Sequence, residues 1–282
     1  MIPILIRTKD RPFYLNTTLK SLTASNIDDS LIVIADDCSE TQLMNDYLFT
    51  DNEIEFPEFN WYDEIDKEVT TKGSVVKDTL NLTDKEIWNR YFGNIPIQLN
   101  AKGLKNRFNI IQPETNKGVV GGLFWTIYAG FTMFRNADKI IILEDDLIFH
   151  KNWLSNALKI YERNKHSKLG CVSVYNRENP DYSKNSSNFY YEIDKIGGVM
   201  YLIPRKVFNI MNANHLFNDD YSNKAVGGDV RFQSWLISNG YKILNTTESY
   251  IQHIGVKSLA RPGRFLRYSK NFVQPYTWNK NF

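Results

Sequence analysis

The stretch KIIILEDDLIFHKNWL, Lys139 to Leu154, decides how the chain is read. Ile140 to Leu143 run straight into three adjacent carboxylates, Glu144, Asp145 and Asp146, and apolar residues resume at Leu147, Ile148 and Phe149. A short unbroken apolar run suits a strand buried on both faces. Three like charges side by side repel one another and are costly to remove from water. They belong where solvent or a ligand reaches the end of that strand.

Similar runs recur on either side. IPILI (2–6) is a buried strand, and LIVIA (31–35) is a second, ending at Asp36 and Asp37. FNIIQ (108–112), CVSVY (171–175), GGVMYLI (197–203), YKIL (241–244) and SYIQH (249–253) read as further strands. Helices are expected over 13–22 after Pro12, over 40–48, over 119–134 after Asn116-Lys117-Gly118, and over 153–161, 204–211 and 229–238. Strands alternating with helices predict an α/β fold, a mainly parallel sheet flanked by helices. Ligands of such sheets sit beyond the carboxyl ends of the strands. Asp36, Asp37 and the triplet all fall there.

Between about 51 and 107 the pattern weakens. The first part is acidic but holds Phe56, Phe59, Trp61 and Tyr62, so it reads as an inserted, partly ordered segment with a helix near 84–91. At 282 residues, one large domain (1–282) with an insertion is expected. The 42% apolar and 14% aromatic content is enough for a sizeable core and excludes disorder of the whole chain. A net charge of +2 does not decide for or against nucleic acid. Two cysteines, Cys38 and Cys171, exclude a disulfide framework and read as small buried hydrophobes. The N-terminal apolar run is too short for a signal peptide, and no stretch of about 18 apolar residues occurs, so a cytoplasmic protein without a transmembrane segment is expected.

Adjacent carboxylates at a strand end have two physical uses. They bind a hard divalent cation, Mg²⁺ or Mn²⁺, through oxygen, or one of a pair transfers a proton. They also solvate a loop or cap the helix that follows Lys151. No His/Cys cluster suggests zinc, and no GxxxxGK[ST] or GxGxxG follows an early strand.

Several segments in order resemble the GT-A glycosyltransferases, which move a sugar from a nucleotide donor. PILIRTKDRPFYLNTTLKSL resembles the opening strand, loop and helix of family-2-like members. VIADDCSE resembles their DDGS stretch, with Cys38 where Gly is usual. NKGVVGGLFWTIYAG resembles the loop and helix near the donor. ILEDDLIFHKNWL is similar to the EDD version of the DxD motif in the N-acetylglucosaminyltransferases I. GGVMYLIPRKVF resembles the acceptor-side strand and helix, GGDVRFQSWL the segment with the catalytic base of inverting members, and HIGVKS the late metal or diphosphate motif. The matches cover most of the chain apart from 51–107 and the last 20 or so residues.

The resemblance implies a GT-A, Rossmann-like fold with a nucleotide-sugar-binding part (1–146), an acceptor-side part (147–282) and a basic C-terminal extension. It implies that Arg7, Thr8, Asp10 and Arg11 line the nucleotide pocket, joined by Asn116, Lys117, Gly118 and Gly198. Asp37, or alternatively Asp36, contacts the nucleobase. Asp146 and Asp145 hold Mn²⁺ or Mg²⁺, with Glu144 toward the ribose or strand end. Asp229 is the catalytic base of a single displacement with inversion. His253 is a further metal ligand or phosphate contact, and Lys257 a diphosphate partner. Plainer readings stand beside these. Asp229 sits where a helix N-cap is expected. His253 could simply end a strand, and Gly197-Gly198 and Gly227-Gly228 could be turns.

The implied donor is a nucleotide sugar, UDP-linked. The acceptor is a glycan, a lipid-linked glycan or a hydroxylated DNA base. Lys257 to Lys270 carries five basic residues, Phe265 and Tyr268, and no acidic one, which suits a phosphate-rich partner. Two other classes remain: a non-catalytic nucleic-acid- or glycan-binding protein on a degenerate version of the fold, and a nucleotidyltransferase, for which the Gly-rich phosphate loop is missing.

Overall fold

The structure, a computed structural model, describes residues 1–27, 29–39, 108–176, 189–194, 196–211, 227–255 and 272–273. Its frame follows from the apolar runs. A strand's side chains alternate between faces, so a run with no polar member needs cover on both sides. The strands Ile2–Thr8 (β1), Ser30–Asp36 (β2) and Lys139–Glu144 (β4) do this. Ile4, Ile6, Ile32, Ile34, Ile141 and Leu143 enter one core, while Leu5, Val33, Ile140 and Ile142 enter a second core on the opposite face.

The eight-stranded sheet has the order β3-β2-β1-β4-β8-β6-β9-β7. Its remaining members are Asn109–Ile111 (β3), Leu169–Ser173 (β6), Tyr190–Ile193 (β7), Met200–Pro204 (β8) and Lys242–Thr246 (β9). The half around β1 is parallel throughout (β3 to β2, β2 to β1, β1 to β4). The other half is mixed: β6 and β9 are parallel, while β8 runs antiparallel to β4 and β6, and β7 to β9.

Helix α1 (Pro12–Thr23) starts with proline at its first position, where the missing N–H costs nothing. It packs with α3 (Trp153–Asn164) on the first core, which takes Leu15, Leu19 and Leu22 from α1 and Trp153, Ala157 and Ile160 from α3. Helix α2 (Gly118–Met133) covers the other face with Leu123, Phe124, Ile127 and Phe131, a helical spacing. Beside it lie α4 (Arg205–Ile210) and α5 (Gly228–Ser238), the latter through Phe232 and Leu236.

A second, two-stranded sheet pairs Leu147–Phe149 (β5) antiparallel with Ile251–His253 (β10), with His253 opposite Leu147. Three residues are too few to carry a periodic signal, so the sequence does not mark β5 as a strand; nor does it mark β7. CVSVY is corrected in register: the strand starts two residues earlier and ends at Ser173. The expected helices over 40–48 and 84–91, and the insertion itself, lie outside the described residues. Both cysteines are free, and Cys171 is fully buried, where desolvation pushes its thiol well above the usual range.

Candidate active site

The carboxyl ends of β1, β2 and β4 lie side by side, so residues far apart in sequence meet. Arg7 of β1 is in register with Glu144 of β4, and Thr8 with Asp36 of β2. Arg7 Nη1 lies 3.2 Å from Glu144 Oε1. The Thr8 hydroxyl donates to Asp145 Oδ2 at 2.8 Å. Arg11, just before α1, bridges the next two carboxylates: Nη1 donates to Asp145 Oδ1 at 2.7 Å and Nη2 to Asp146 Oδ2 at 2.5 Å. From the small sheet, His253 Nε2 comes within 3.2 Å of Asp146 Oδ2. The Ile254 N–H donates to the Asp146 carbonyl, which fixes β10 against the triplet.

Asp145 and Asp146 are each 2% exposed, so their protonation depends on their neighbours. Burial pushes the Asp145 carboxyl up to about 7 against the pull of Arg11, and the charge of Asp146 adds to the rise. Burial would raise Asp146 too, but Arg11 and His253 hold it well below the usual carboxylate range. Arg11 is itself held charged by the two carboxylates against the cost of its burial. The triplet therefore divides. Asp145 has both oxygens engaged, Asp146 Oδ1 is buried with no hydrogen-bond partner, and so is His253 Nδ1. These two orphaned atoms belong to two of the three residues expected to hold a cation. Carboxylate oxygen is a donor that Mg²⁺ and Mn²⁺ accept, so the residues fit such an ion. Among the described residues no cluster of three or more His, Cys, Asp or Glu side chains is preassembled for one.

The other expected residues fall into two groups around this centre. Asp36 is buried and committed to structure: Oδ1 accepts from the N–H and hydroxyl of Ser39, and Oδ2 from Gln112 Nε2 at 2.7 Å. Asp37 is only partly buried, and its two oxygens accept the backbone N–H groups of Lys117 (2.6 Å) and Gly118 (2.8 Å). A carboxylate thus caps the amino end of α2, the favourable place for negative charge. Asn116 Oδ1 also accepts the Gly118 N–H. Asp10 and Cys38 have positive φ (48° and 62°), which explains why glycine suits the position of Cys38 in the DDGS pattern. The Asp10 N–H donates to Ser39 Oγ, and Lys9 Nζ to the carbonyls of Asp37 and Cys38, so the loops after β1 and β2 are tied together.

Asp229 is not the N-cap of α5. Gly227, which has no side chain to cap with, takes that position, and Asp229 lies in the first turn. A Cβ on Gly198 would lie 2.7 Å from Asp229 Cβ, and one on Gly227 2.4 Å from Asp229 Oδ1. These glycines make room for the Asp229 side chain. The neighbour of Gly198, Val199, accepts the Glu144 N–H through its carbonyl at 3.0 Å, which links Asp229 to the end of β4. Lys257 lies outside the described residues. Gly255 was missed: a Cβ there would fall 2.0 Å from Asp146 Oδ2, so only glycine fits beside that carboxylate. Its one sequence signal is its place two residues after His253.

No protein-family model matches the sequence, and no curated protein matches it. Solved structures do match. Over 95% of this chain and 45% of the other, it is similar to GalNAc-T7, solved with UDP, GalNAc and Mn²⁺, at TM-score 0.53 and 12% identity. The fold is GT-A. The chain is also similar to TarS of S. aureus (TM-score 0.49, 13% identity, 90% of this chain and 37% of that one) and to the mannosyltransferase PcManGT of Pyrobaculum calidifontis, solved with GDP-Man and Mn²⁺ (0.48, 11%, 86% and 53%). The chain spans about half or less of the length of these three structures. On the GT-A frame the carboxylates, Arg7, Arg11 and the amino end of α2 share one sheet edge, the edge where α/β sheets bind ligands.

Proposed function

We propose that the chain is a metal-dependent inverting glycosyltransferase that moves a sugar from a nucleoside-diphosphate donor, UDP-linked, to an acceptor hydroxyl. The observation that carries the reading is the pairing of Asp146 with His253 at the end of β4, each keeping a buried polar atom without a partner. In this reading the chain acts as one GT-A unit, with 1–146 on the donor side and 147–282 on the acceptor side.

Asp146 and His253 would hold Mn²⁺ or Mg²⁺, and Asp145, tied to Thr8 and Arg11, supports Asp146. The bound cation would supply Lewis-acid stabilisation of the departing diphosphate. Arg7 and Arg11 add fixed positive charge beside the phosphates, where oriented charge is most effective. Asp37, the more exposed of its pair, faces the nucleobase, with Thr8, Asp10, Asn116, Lys117 and Gly118 framing the nucleotide. Asp229 takes the proton of the acceptor hydroxyl. That oxygen forms its bond to the anomeric carbon from the face opposite the leaving group, and the bond to the diphosphate oxygen breaks, which inverts the centre. The acceptor is a glycan, a lipid-linked glycan or a hydroxylated DNA base, and Lys257 to Lys270 is the segment proposed to meet it or the diphosphate.

Calorimetric titration of UDP in the presence and absence of Mn²⁺, on the native chain and on Asp146→Ala, tests the reading. Binding that needs Mn²⁺ and is lost in Asp146→Ala is expected. UDP binding that ignores both the metal and Asp146 overturns it.

A further inference from the structure

One face of α1 carries hydroxyls where a helix packed on a core normally carries apolar groups. Thr18 is 0% exposed and Ser21 2%, with Ser25 just past the helix end at 9%. Each hydroxyl is engaged with the segment that follows the acidic triplet. Thr18 Oγ1 donates to the Asp145 carbonyl at 2.5 Å and accepts the Leu147 N–H at 2.8 Å. Ser21 Oγ accepts the Phe149 N–H at 2.8 Å, and Ser25 Oγ accepts Trp153 Nε1–H at 3.0 Å. On its other side β5 pairs with β10, the strand that brings in His253. The N–H groups of Leu147 and Phe149 face away from that partner. Buried backbone donors must find an acceptor, and the helix hydroxyls supply it in place of a neighbouring strand.

We infer that Thr18 is a positioning residue for the carboxylate pair. Its one hydroxyl grips the peptide groups on both sides of Asp146, the carbonyl of Asp145 and the amide of Leu147. The backbone bend that aims Asp146 at His253 is thereby set from α1, and side chains that fix ligand groups from behind govern metal affinity. The inference rests on the reading of Asp146 and His253 as cation ligands. Ser21 and Ser25 hold the same segment farther from the carboxylates and have no such effect.

The test compares Thr18→Val, which keeps the shape and removes the hydroxyl, with Thr18→Ser, which keeps the hydroxyl, and with Ser21→Ala. Mn²⁺ affinity in the presence of UDP is read by calorimetry, and exchange of the Leu147 amide by NMR. Thr18→Val is expected to weaken Mn²⁺ binding by about tenfold or more and to speed exchange at Leu147. Thr18→Ser restores both to within about twofold, and Ser21→Ala leaves Mn²⁺ affinity within about twofold even where it melts earlier. Unchanged Mn²⁺ affinity in Thr18→Val overturns the positioning role. Should that variant not fold, a tenfold loss in Thr18→Ser does the same. A native chain that binds no Mn²⁺ with UDP overturns the underlying reading instead, and with it the inference.

Discussion

At the scale of single residues, the site depends on what lies against each carboxylate. Asp229 sits in the first turn of α5 but is not its N-cap, and Gly198 and Gly227 leave room for its side chain. Asp229→Asn is therefore expected to cut the turnover of sugar transfer by about 10²–10⁴ while donor binding by calorimetry stays unchanged. Gly255 is the second test. Because a Cβ would meet Asp146 Oδ2 at 2.0 Å, Gly255→Ala forces the carboxylate or the chain to move. A loss of about 1–3 kcal/mol in urea unfolding, with weaker Mn²⁺ binding, is expected. The sequence made the acidic triplet legible, because charges at the end of an apolar run are conspicuous. It did not make Arg11, Thr18 or Gly255 legible as neighbours of Asp145 and Asp146. Those contacts join residues more than a hundred positions apart, and nothing local in a Thr or a Gly announces them.

At the scale of elements, unbroken apolar runs identified β1, β2 and β4 because both of their faces are buried. Helix α2 was readable as one long apolar stretch after Asn116-Lys117-Gly118, and its Leu123, Phe124, Ile127 and Phe131 enter the second core. The small sheet was not. β5 is three residues long, and two of its three backbone N–H groups donate to hydroxyls from α1 rather than to a strand, so no alternation marks it. The role of Asp37 also changes at this scale. The resemblance of the DDCS stretch implies a nucleobase contact, and in the structure Asp37 also accepts two amide N–H groups at the start of α2. Asp37→Ala should destabilise the protein by about 0.5–2 kcal/mol in urea unfolding. Exchange of the Lys117 amide should speed up in the same variant, since it loses its acceptor, while the Gly118 amide keeps Asn116 Oδ1.

At the scale of the whole molecule, the sheet order and the likeness to GalNAc-T7 agree on GT-A, while the chain spans 45% of that structure. Among the described residues no helix is long and apolar enough to cross a membrane. The most direct test of the account is a thermal melt of the purified chain with a panel of UDP- and GDP-sugars, each with and without Mn²⁺. A ligand that binds only the native state at a hundredfold excess over Kd adds about 2.7 kcal/mol, which moves the melting temperature by several degrees. Such a rise is expected with a UDP-sugar, in the presence of Mn²⁺ only, and none in Asp146→Ala. A melting temperature unmoved by any nucleotide sugar with Mn²⁺, or raised equally without it, would contradict the account.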